Sequence, residues 1–407
     1  MIHETAVSTV ASASREIRDF ILSQPELLAR QSYKWHLYPA GVIAACVADM
    51  DFRVAPEVQS VIQYGLEKSD YVYPLRDGRR ADRAVAAAFA ARMKHGFNWD
   101  VDPAQVLVVA DLVQATYASI LAFSEPGDGV VLQVPNYPPF REALEITGRQ
   151  LIPLEMEWTD EGYVFDLEKL EDRVDERTKL FILCNPQNPT GRVFTRAELE
   201  RVAAFAERHD LIVVSDEIHS DLIHPGATHL PFATLSPAAA SRAITLNSAS
   251  KSFNIAGLRC GLVHFGTEAL MQRFHARIPV RLTGSVNNVG IDATVAAWTD
   301  GQAWLDAVRA HLLTMRDYVV GILRDEIPEI RFHVPEATYL LWMDCSDLNL
   351  DGSASSFFLK QARIGFSAGE TFHPDAMNFA RMNFATSRPI LNEILERMIT
   401  AVRSLRR

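Results

Sequence analysis

The sequence predicts an α/β fold, with a large domain built on a mainly parallel sheet flanked by helices and a smaller α+β domain at the C-terminal end. The first observation is that five short apolar runs, typical of buried strands, alternate with helical stretches from about residue 104 onward. The runs cover residues 106–109, 130–134, 179–183, 211–215 and 243–246. The second observation is a change of character after about residue 290, where a long helical pattern precedes shorter, mixed elements.

The N-terminal part of the chain carries weaker signals. Residues 1–14 lack the basic start and continuous apolar core of a signal peptide, and we expect a flexible arm. Asp49 and Asp51 precede a helix predicted to begin near Pro56, and either carboxylate is expected to cap it. The aromatic segment 71–74 has the pattern of an edge strand.

The C-terminal part predicts a mixed domain. Its elements are a helix over 302–324, strands at 331–334 and 339–343, a helix over 353–363 and a last helix from about Ile390. We therefore divide the chain into an N-terminal arm that joins the small domain (1–55), a large domain (56–290) and a small domain (291–407).

Composition excludes several classes of protein. The chain has 407 residues, of which 48% are apolar and 22% charged, as expected of a globular enzyme. Its net charge of −11 disfavours a nucleic-acid partner, and no apolar run approaches the ~20 residues of a membrane span. The four cysteines are scattered without a Cys-x-x-Cys pair, so we expect buried free thiols in a cytoplasmic protein and no metal site: Cys46, Cys184, Cys260 and Cys345.

Chemically useful side chains follow each predicted strand of the large domain. In parallel sheets of this kind, ligands bind beyond the carboxyl ends of the strands. We therefore expect several groups to lie together at one edge of the sheet: an aromatic ring, an amide, two further polar groups, a lysine and the start of a helix. In chain order these residues are Asp111, Leu112, Val113, Tyr137, Asn185, Asp216, His219 and Lys251.

Lys251 is the residue around which this edge is organised. An amine that is partly desolvated or close to another cation has a lowered pKa and becomes a nucleophile, and Arg259 supplies such a cation. Ser248 and Ser250 supply hydroxyl and N–H groups suited to a phosphate. An imine-forming lysine beside a phosphate cradle indicates pyridoxal 5′-phosphate. The structural alternative is a solvated lysine in a surface turn.

The motifs at this edge resemble those of the fold-type-I, aspartate-aminotransferase-like superfamily of pyridoxal-phosphate enzymes. The superfamily marks are Asn185-Pro-Gln-Asn-Pro-Thr-Gly191, Asp216, Ser248-Ala-Ser-Lys251 with Arg259, and Arg381. Within it, the chain is similar to the MalY/PatB group of cystathionine β-lyases. The narrower marks include Lys34-Trp35, Ala48-Asp-Met-Asp-Phe52, Pro135-Asn-Tyr-Pro-Pro-Phe140, Ser215-Asp-Glu-Ile-His219 and Tyr339-Leu-Leu-Trp-Met-Asp344.

The resemblance implies a role for each matching residue. Lys251 binds the cofactor aldehyde and acts as the base, Asp216 pairs with the ring nitrogen, Asn185 contacts the 3-hydroxyl and Tyr137 stacks on the ring. The implied phosphate ligands are Ser248, Arg259 and the backbone at Leu112 and Val113. Tyr73 is implied to reach the site from the second subunit of a homodimer. Arg381 is implied to bind the substrate α-carboxylate. His219 lies either near the 3-hydroxyl or in a purely structural position.

Asp111 departs from the family pattern. Relatives commonly carry a small residue, often Gly, at this entrance to the phosphate cup. A carboxylate beside a phosphate is repulsive unless it points away or caps the helix. We favour the N-cap interpretation, while a rearranged cup and a substrate-facing role stay open.

The sequence constrains the type of reaction less than it constrains the identity of the cofactor. The resemblance favours β-elimination from cystathionine or a cysteine S-conjugate, while transamination and diverted decarboxylating, cyclising or oxidising chemistries stay open. A non-catalytic protein of the same fold is disfavoured because Lys251, Asp216 and Arg381 are all present. Trp35, Tyr73 and Tyr339 suggest an aromatic substrate pocket. Arg277 and Arg281 suit either a distal substrate acid or a solvated or interface position.

Overall fold

The computed structural model describes residues 17–76, 78–159 and 162–405. The flexible arm expected at residues 1–14 lies outside the described residues. Fifteen strands are found among the described residues: β1 (Ile43–Ala44), β2 (Leu75–Arg76), β3 (Arg79–Arg80), β4 (Val106–Val109), β5 (Gly129–Val134), β6 (Gln150–Thr159), β7 (Gly162–Phe165), β8 (Thr178–Cys184), β9 (Ile212–Asp216), β10 (Ala243–Asn247), β11 (Gly261–Phe265), β12 (Leu340–Asp344), β13 (Ile364–Gly365), β14 (Ser367–Ala368) and β15 (Phe379–Asn383).

The same part of the chain forms fourteen α-helices: α1 (Gln24–Ala29), α2 (Tyr33–His36), α3 (Pro56–Lys68), α4 (Asp82–Phe97), α5 (Leu112–Phe123), α6 (Pro138–Ile146), α7 (Arg196–Arg208), α8 (Pro237–Ala240), α9 (Glu268–Arg277), α10 (Val280–Thr283), α11 (Asn288–Thr299), α12 (Gln302–Glu326), α13 (Ala354–Phe357) and α14 (Arg388–Leu405). A wider π-helical turn, Phe358–Ala362, continues α13. None of these helices is both long and apolar enough to span a bilayer.

The large sheet confirms the predicted parallel architecture. Its strand order is β4-β11-β10-β9-β8-β5-β6-β7, and the five central strands from β10 to β6 run parallel. Strands β11 and β7 are antiparallel to their neighbours. Strands β5, β9 and β10 are buried along their whole length, because helices cover both faces of the sheet. All five predicted apolar runs form strands, and their carboxyl ends meet at one edge.

A smaller sheet carries the predicted site residue Arg381. Strands β12, β15 and β14 form an antiparallel sheet, in which Ser367 of β14 lies opposite Arg381 of β15. The N-terminal segment joins this region, because β1 pairs in parallel with β13. Helices α12 and α14 each bury a long apolar face at the predicted positions. This N-terminal pairing brings residues 45–51 toward the sheet edge of the large domain.

The prediction that Asp49 or Asp51 caps the helix at Pro56 is wrong. The N-cap position of α3 is Ala55, without a side-chain hydrogen bond. Asp51 instead accepts hydrogen bonds from Lys34 Nζ (3.0 Å) and from Trp35 Nε1 (2.8 Å), and all three side chains are buried. A buried carboxylate needs charged or strong donors, and these lie in α2.

Two predicted strands are also wrong. Residues 331–334 contribute a single bridge, Arg331 with Asp344, after which the chain turns away. Pro335 ends the segment, and the N–H groups of Glu336 and Ala337 donate to the Gly191 carbonyl instead of to a neighbouring strand. Residues 71–74 form bends, with Tyr71, Val72 and Tyr73 exposed, and the adjacent hairpin begins only at Leu75.

Candidate active site

A cavity of about 270 Å³ lies at the carboxyl edge of the large sheet, beneath the smaller sheet. Nine of the predicted site residues line it: Leu112, Val113, Tyr137, Asp216, His219, Ser248, Lys251, Arg259 and Arg381. These residues come from separate loops and from both sheets. The topology therefore brings together groups that are up to about 270 positions apart in sequence.

Lys251 lies in the turn that follows β10. Its Nζ donates a hydrogen bond to the carbonyl of Ala48 at 2.9 Å. Burial is the main cause that lowers the pKa of this amine, and Arg381 lowers it further, while Asp49 and Asp216 act in the opposite direction. The lowered pKa increases the fraction of neutral, nucleophilic amine near neutral pH.

Asp216 ends β9 with its carboxylate buried in the cavity wall. Burial raises its pKa to about 7, and Glu217 adds to the rise, while the hydrogen bond from the Ile218 N–H and the charge of Lys251 oppose it. A carboxylate desolvated in this way is stabilised in its charged form by a cation placed against it. The site therefore favours a ligand with a positively charged N–H at this position.

A buried network of hydrogen-bonded side chains lies next to Asp216. The Asn185 Oδ1 accepts a hydrogen bond from the Phe194 N–H at 3.0 Å, and its Nδ2 lies 3.5 Å from His229 Nδ1. His229 Nε2 is 3.2 Å from the Glu217 carboxylate, which also accepts from Ser215 Oγ and from the Phe232 N–H. Asn185 does not line the cavity directly in this structure. Its amide is held in a fixed orientation at the end of β8.

The end of the cavity that the motifs predict to bind phosphate is formed by the start of α5 and by the loop after β10. Asp111 is the N-cap of α5 and accepts a hydrogen bond from the Gln114 N–H at 2.8 Å, which confirms the N-cap interpretation. Its other oxygen lies 3.0 Å from Arg259 Nη1. The Leu112 and Val113 segment lies at the positive end of the helix dipole, which favours an anion.

The two candidate serines differ in their contacts. Ser248 Oγ donates to the Cys260 carbonyl at 2.6 Å and accepts from the Ser250 N–H at 3.0 Å. The Ser250 hydroxyl lines the cavity and forms no hydrogen bond with any residue that the structure describes. Ser250 is therefore the hydroxyl free to bind an anion, whereas Ser248 shapes the turn that carries it.

Arg381 lies in β15 and is the buried cation at the opposite end of the cavity. Its Nη1 donates to Asn188 Oδ1 at 2.7 Å, and its Nη2 donates to Ser367 Oγ at 3.2 Å. The guanidinium stacks over Phe372, 4.7 Å from the ring centroid. Burial lowers its pKa to about 10, so the group stays charged at neutral pH. A fixed, buried guanidinium without a carboxylate partner suits bidentate binding of a carboxylate.

Tyr137 and His219 form two further walls. Tyr137 precedes α6 on the rigid loop predicted from its proline neighbours, and burial raises the pKa of its hydroxyl. Burial lowers the pKa of His219 to about 3, and Lys251 and Arg381 lower it further, so its imidazole is neutral. The buried His219 Nδ1 has no hydrogen-bond partner among the described residues. This neutral nitrogen is available to a ligand.

Four predicted residues lie outside the cavity lining: Asn185, described above, and Trp35, Tyr339 and Tyr73. Trp35 is buried against Asp51, as described above, and Tyr339 is fully buried with its hydroxyl donating to the Ala48 carbonyl at 2.9 Å. Tyr339 therefore contacts the same carbonyl as Lys251 instead of forming a pocket wall. Tyr73 is fully exposed at a distance from this site within one chain. Arg277 pairs with Glu125 on another surface.

Sequence reasoning missed three residues that position the site. Asn188 and Ser367 hold Arg381, and the carbonyl of Ala48 holds Lys251. Asn188 and Ala48 both belong to motifs that carry the family resemblance, so a local signal for them exists in the sequence. Ser367 has no comparable local signal. No cluster of His, Cys, Asp or Glu side chains in the described ranges is arranged to hold a metal ion.

The residues present fit pyridoxal phosphate. The cofactor has an aldehyde, a protonatable ring nitrogen and a phosphate, and the cavity offers an amine of lowered pKa, a buried carboxylate without a cation against it, and a helix N-terminus beside Arg259.

The four cysteines are buried and form no disulfide.

Comparison with known proteins agrees with this geometry. A curated relative, the cystathionine β-lyase PatB of Bacillus subtilis (strain 168), is 33% identical, covering 93% of this chain and 98% of its own. A crystal structure of a protein named OvoB is 37% identical, covering 92% and 97% of the two chains, with a TM-score of 0.86. Cystalysin from Treponema denticola, whose structure contains pyridoxal 5′-phosphate, is 28% identical over 94% and 98%, with a TM-score of 0.87.

These neighbours confirm the fold-type-I architecture expected from the motifs. Residues 46–398 match the family described as aminotransferase class I and II, which is most of the chain. The chain therefore belongs to the aminotransferase class I and II family.

Proposed function

We propose that the chain is a pyridoxal-phosphate-dependent carbon–sulfur β-lyase, which converts cystathionine or a cysteine S-conjugate and water to a thiol, pyruvate and ammonia. The observation that carries this proposal is the convergence of the Lys251 amine, the Asp216 carboxylate and the Arg381 guanidinium on one cavity. The relative PatB, which is named a cystathionine β-lyase, supports the choice of reaction.

The cofactor, when bound, supplies an electron sink for the negative charge that develops at the substrate Cα. We assign Asp216 the role of holding a proton at the ring nitrogen, because the buried carboxylate is stabilised by a cation against it. Tyr137 would cover one ring face, and Asn185 and His219 would lie on the side of the 3-hydroxyl. The phosphate would be held by Arg259, Ser250, the Ser248 turn and the N–H groups at Leu112 and Val113.

Arg381 would bind the substrate α-carboxylate and so fix the direction of the Cα–H bond. Asn188 and Ser367 restrict its guanidinium, so little side-chain entropy is lost when substrate binds. Lys251 would then remove the Cα proton as general base, because its lowered pKa leaves it neutral often enough at neutral pH. The Ala48 carbonyl directs the amine toward the cavity.

The elimination breaks the Cβ–S bond, and the bonding electrons leave with the sulfur as a thiolate. The three-carbon fragment keeps the amino nitrogen until water hydrolyses it, which yields pyruvate and ammonia. No net oxidation or reduction occurs, so the reaction needs only water as a co-reactant.

A homodimer is part of the proposal, with Tyr73 completing the partner's site. Tyr71, Val72, Tyr73 and Leu75 are exposed in close succession, which is an unusual density of large apolar groups for a free surface. Val280, which is also exposed, lines a surface pocket together with Tyr73. We further propose a cytoplasmic location and a division into segments 1–55, 56–290 and 291–407.

The test mixes the purified, cofactor-loaded protein with L-cystathionine and other cysteine S-conjugates. Pyruvate, free thiol and the cofactor absorbance are followed together. Equal amounts of pyruvate and thiol, with the cofactor absorbance restored after each turnover, are expected. Formation of pyridoxamine phosphate and a keto acid without thiol would instead assign an aminotransferase, the alternative that the family name carries.

A further inference from the structure

A second, larger groove of about 730 Å³ opens from the catalytic cavity. The cavity and the groove share three lining residues, Val47, Tyr137 and Arg381. A substrate held by its α-carboxylate at Arg381 therefore has a continuous path for its side chain. In the proposed reaction, that side chain is the leaving group attached to the sulfur.

The lining of this groove is mixed in chemistry. Aromatic residues such as Tyr33, Tyr38 and Phe366 form its walls, and hydroxyls of Ser353 and Ser355 face it from the start of α13. Among the described lining residues, Arg381 and Glu370 are the only charged ones. In the proposed reaction Arg381 binds the substrate α-carboxylate. Glu370 is therefore the charged side chain of the groove that can interact with the leaving group.

The Glu370 side chain has no hydrogen-bond or ion-pair partner among the residues that the structure describes. Its Oε2 is buried and accepts no hydrogen bond, and no described residue forms an ion pair with either oxygen. Two basic side chains near this loop have other partners: Arg141 of α6 donates to the Thr371 carbonyl and lies 3.7 Å from Glu145, and His373 lies 3.8 Å from Glu155. A buried carboxylate oxygen without a donor is costly, and a cation bound to the carboxylate reduces that cost.

Glu370 lies in a tightly packed loop. The preceding Gly369 packs so closely that an added Cβ would lie 2.2 Å from the Ala376 carbonyl oxygen, and the Asn136 N–H, in the loop before α6, donates to the Phe372 carbonyl. Arg381 and Glu370 both line the groove, and neither forms an ion pair with the other. The groove therefore offers a substrate both a cation and an anion.

We propose that Glu370 is a specificity residue that selects cysteine S-conjugates whose leaving group carries a positive charge. This inference rests on the proposed β-lyase function for its substrate class. The Glu370 carboxylate, which lines the groove, would accept a charge-assisted hydrogen bond from an ammonium or a similar cation. An anionic leaving group of the same size would meet repulsion at the same place.

The test compares three cysteine conjugates of nearly equal size: S-(2-aminoethyl)-, S-propyl- and S-(carboxymethyl)-L-cysteine. For the wild-type protein we expect kcat/KM for pyruvate formation to be at least about 10-fold higher with the cationic conjugate than with the neutral one, and lowest with the anionic one. Glu370→Gln keeps the shape and should remove most of this preference while leaving the S-propyl conjugate unchanged. Asp375→Asn removes an exposed charge from the same segment and should change nothing.

A binding measurement separates this inference from the proposed reaction. L-Lysine and L-2-aminoheptanoate match the cationic and neutral conjugates but have no leaving group, and their binding is followed by cofactor absorbance. Tighter binding of L-lysine that Glu370→Gln abolishes supports the inference, even if no conjugate yields pyruvate. Equal binding of the two amino acids would overturn it. A uniform loss with every ligand in Glu370→Gln would also overturn it, because it would indicate a structural role.

Discussion

The carboxylate of Asp111 makes two contacts at once: Oδ1 caps α5 through the Gln114 N–H, and Oδ2 lies 3.0 Å from Arg259. A negative charge therefore neutralises the cation at the phosphate end of the cavity. Both side chains are partly exposed, at 33% and 63%, so water screens the pair and the effect is modest.

Asp111→Asn is expected to tighten cofactor binding. Asparagine keeps the N-cap but removes the charge, so the apoprotein should bind pyridoxal phosphate about 2- to 5-fold more tightly at low salt, with a smaller gain at high salt. The measurement is equilibrium titration of apoprotein with the cofactor. Asp111→Ala is the comparison, because it also loses the cap and should unfold at a lower temperature. Weaker binding by Asp111→Asn would mean that the carboxylate supports the cup.

Lys251→Ala is expected to reduce pyruvate formation by at least about 1,000-fold, because both the covalent cofactor attachment and the general base are lost. Mass spectrometry after borohydride reduction should find the cofactor on the peptide that contains Lys251 in the wild-type protein and on no peptide in the variant. Attachment to another lysine would contradict the assignment. Lys251→Arg tests whether the positive charge alone restores any activity.

Asp216→Asn should stabilise the cofactor-free protein in a pH-dependent manner. The folded-state pKa of Asp216 is about 7, above the unfolded value near 3.9, so the folded state binds more protons in this interval and stability falls as pH rises through it. The variant has no carboxylate at this position and so lacks this loss of stability. Its free energy of unfolding should exceed that of the wild type only slightly at pH 4 and by at most about 4 kcal/mol at pH 8, because each pH unit in the interval is worth ~1.4 kcal/mol.

Thermal unfolding of the two apoproteins at both pH values measures this difference. Titrating groups that do not interact with Asp216, such as His219, cancel in the comparison, whereas the loss of Asp216 lowers the pKa of Lys251 further. With the cofactor bound, the order should reverse, because the variant loses the anion opposite the ring nitrogen. A variant apoprotein that is less stable at pH 8 would contradict the assignment of Asp216 as an unpaired buried acid.

Substrate binding by Arg381 should depend on Asn188, and this dependence should be visible in kcat and KM. Arg381→Ala is expected to lower kcat/KM by roughly 100- to 1,000-fold, and Asn188→Ala by roughly 10-fold, mostly through KM. Asn188 contacts Nη1, so its loss frees the guanidinium without removing it. Ser367→Ala removes the weaker contact at Nη2 and serves as the graded comparison. An Asn188→Ala effect confined to kcat would indicate a role in the chemistry itself.

Mixing two inactive variants tests the cross-subunit role of Tyr73. If Tyr73 completes the partner's site, a dimer of Lys251→Ala and Tyr73→Ala subunits contains one site with both changes and one intact site. Random reassembly should then restore about a quarter of wild-type activity, since about half the dimers are mixed and each has one working site. Activity no higher than that of Tyr73→Ala alone would place Tyr73 outside the partner's site.

Local patterns were sufficient for the large sheet and for most of the cavity lining. Each of the five apolar runs became a strand, because a continuous run of that length fits a strand covered on both faces. Once the strands are parallel, their carboxyl ends must share an edge, which is why Asp216 and Lys251 meet in one cavity. Arg381 was located by a motif, because nothing in its own strand distinguishes it from a surface arginine.

Contacts between distant segments could not be read from local patterns. The 331–334 segment has strand-like residues, but Pro335 and the Gly191 carbonyl direct the chain elsewhere. Trp35 was expected in the pocket, yet its Nε1 is committed to Asp51. Both outcomes depend on hydrogen-bond partners that only the folded chain brings within reach.

Strand periodicity and the residues that follow each strand are local properties, and they were sufficient to predict the fold class, the cofactor and most of the cavity lining. The pKa values and orientations of those side chains depend on contacts that form in the folded chain. These contacts place the Ala48 carbonyl against Lys251, Asn188 against Arg381 and Asp111 against Arg259, and they leave Glu370 without a partner among the described residues. Burial and pairing set pKa values and specificity, and both depend on groups far away in sequence.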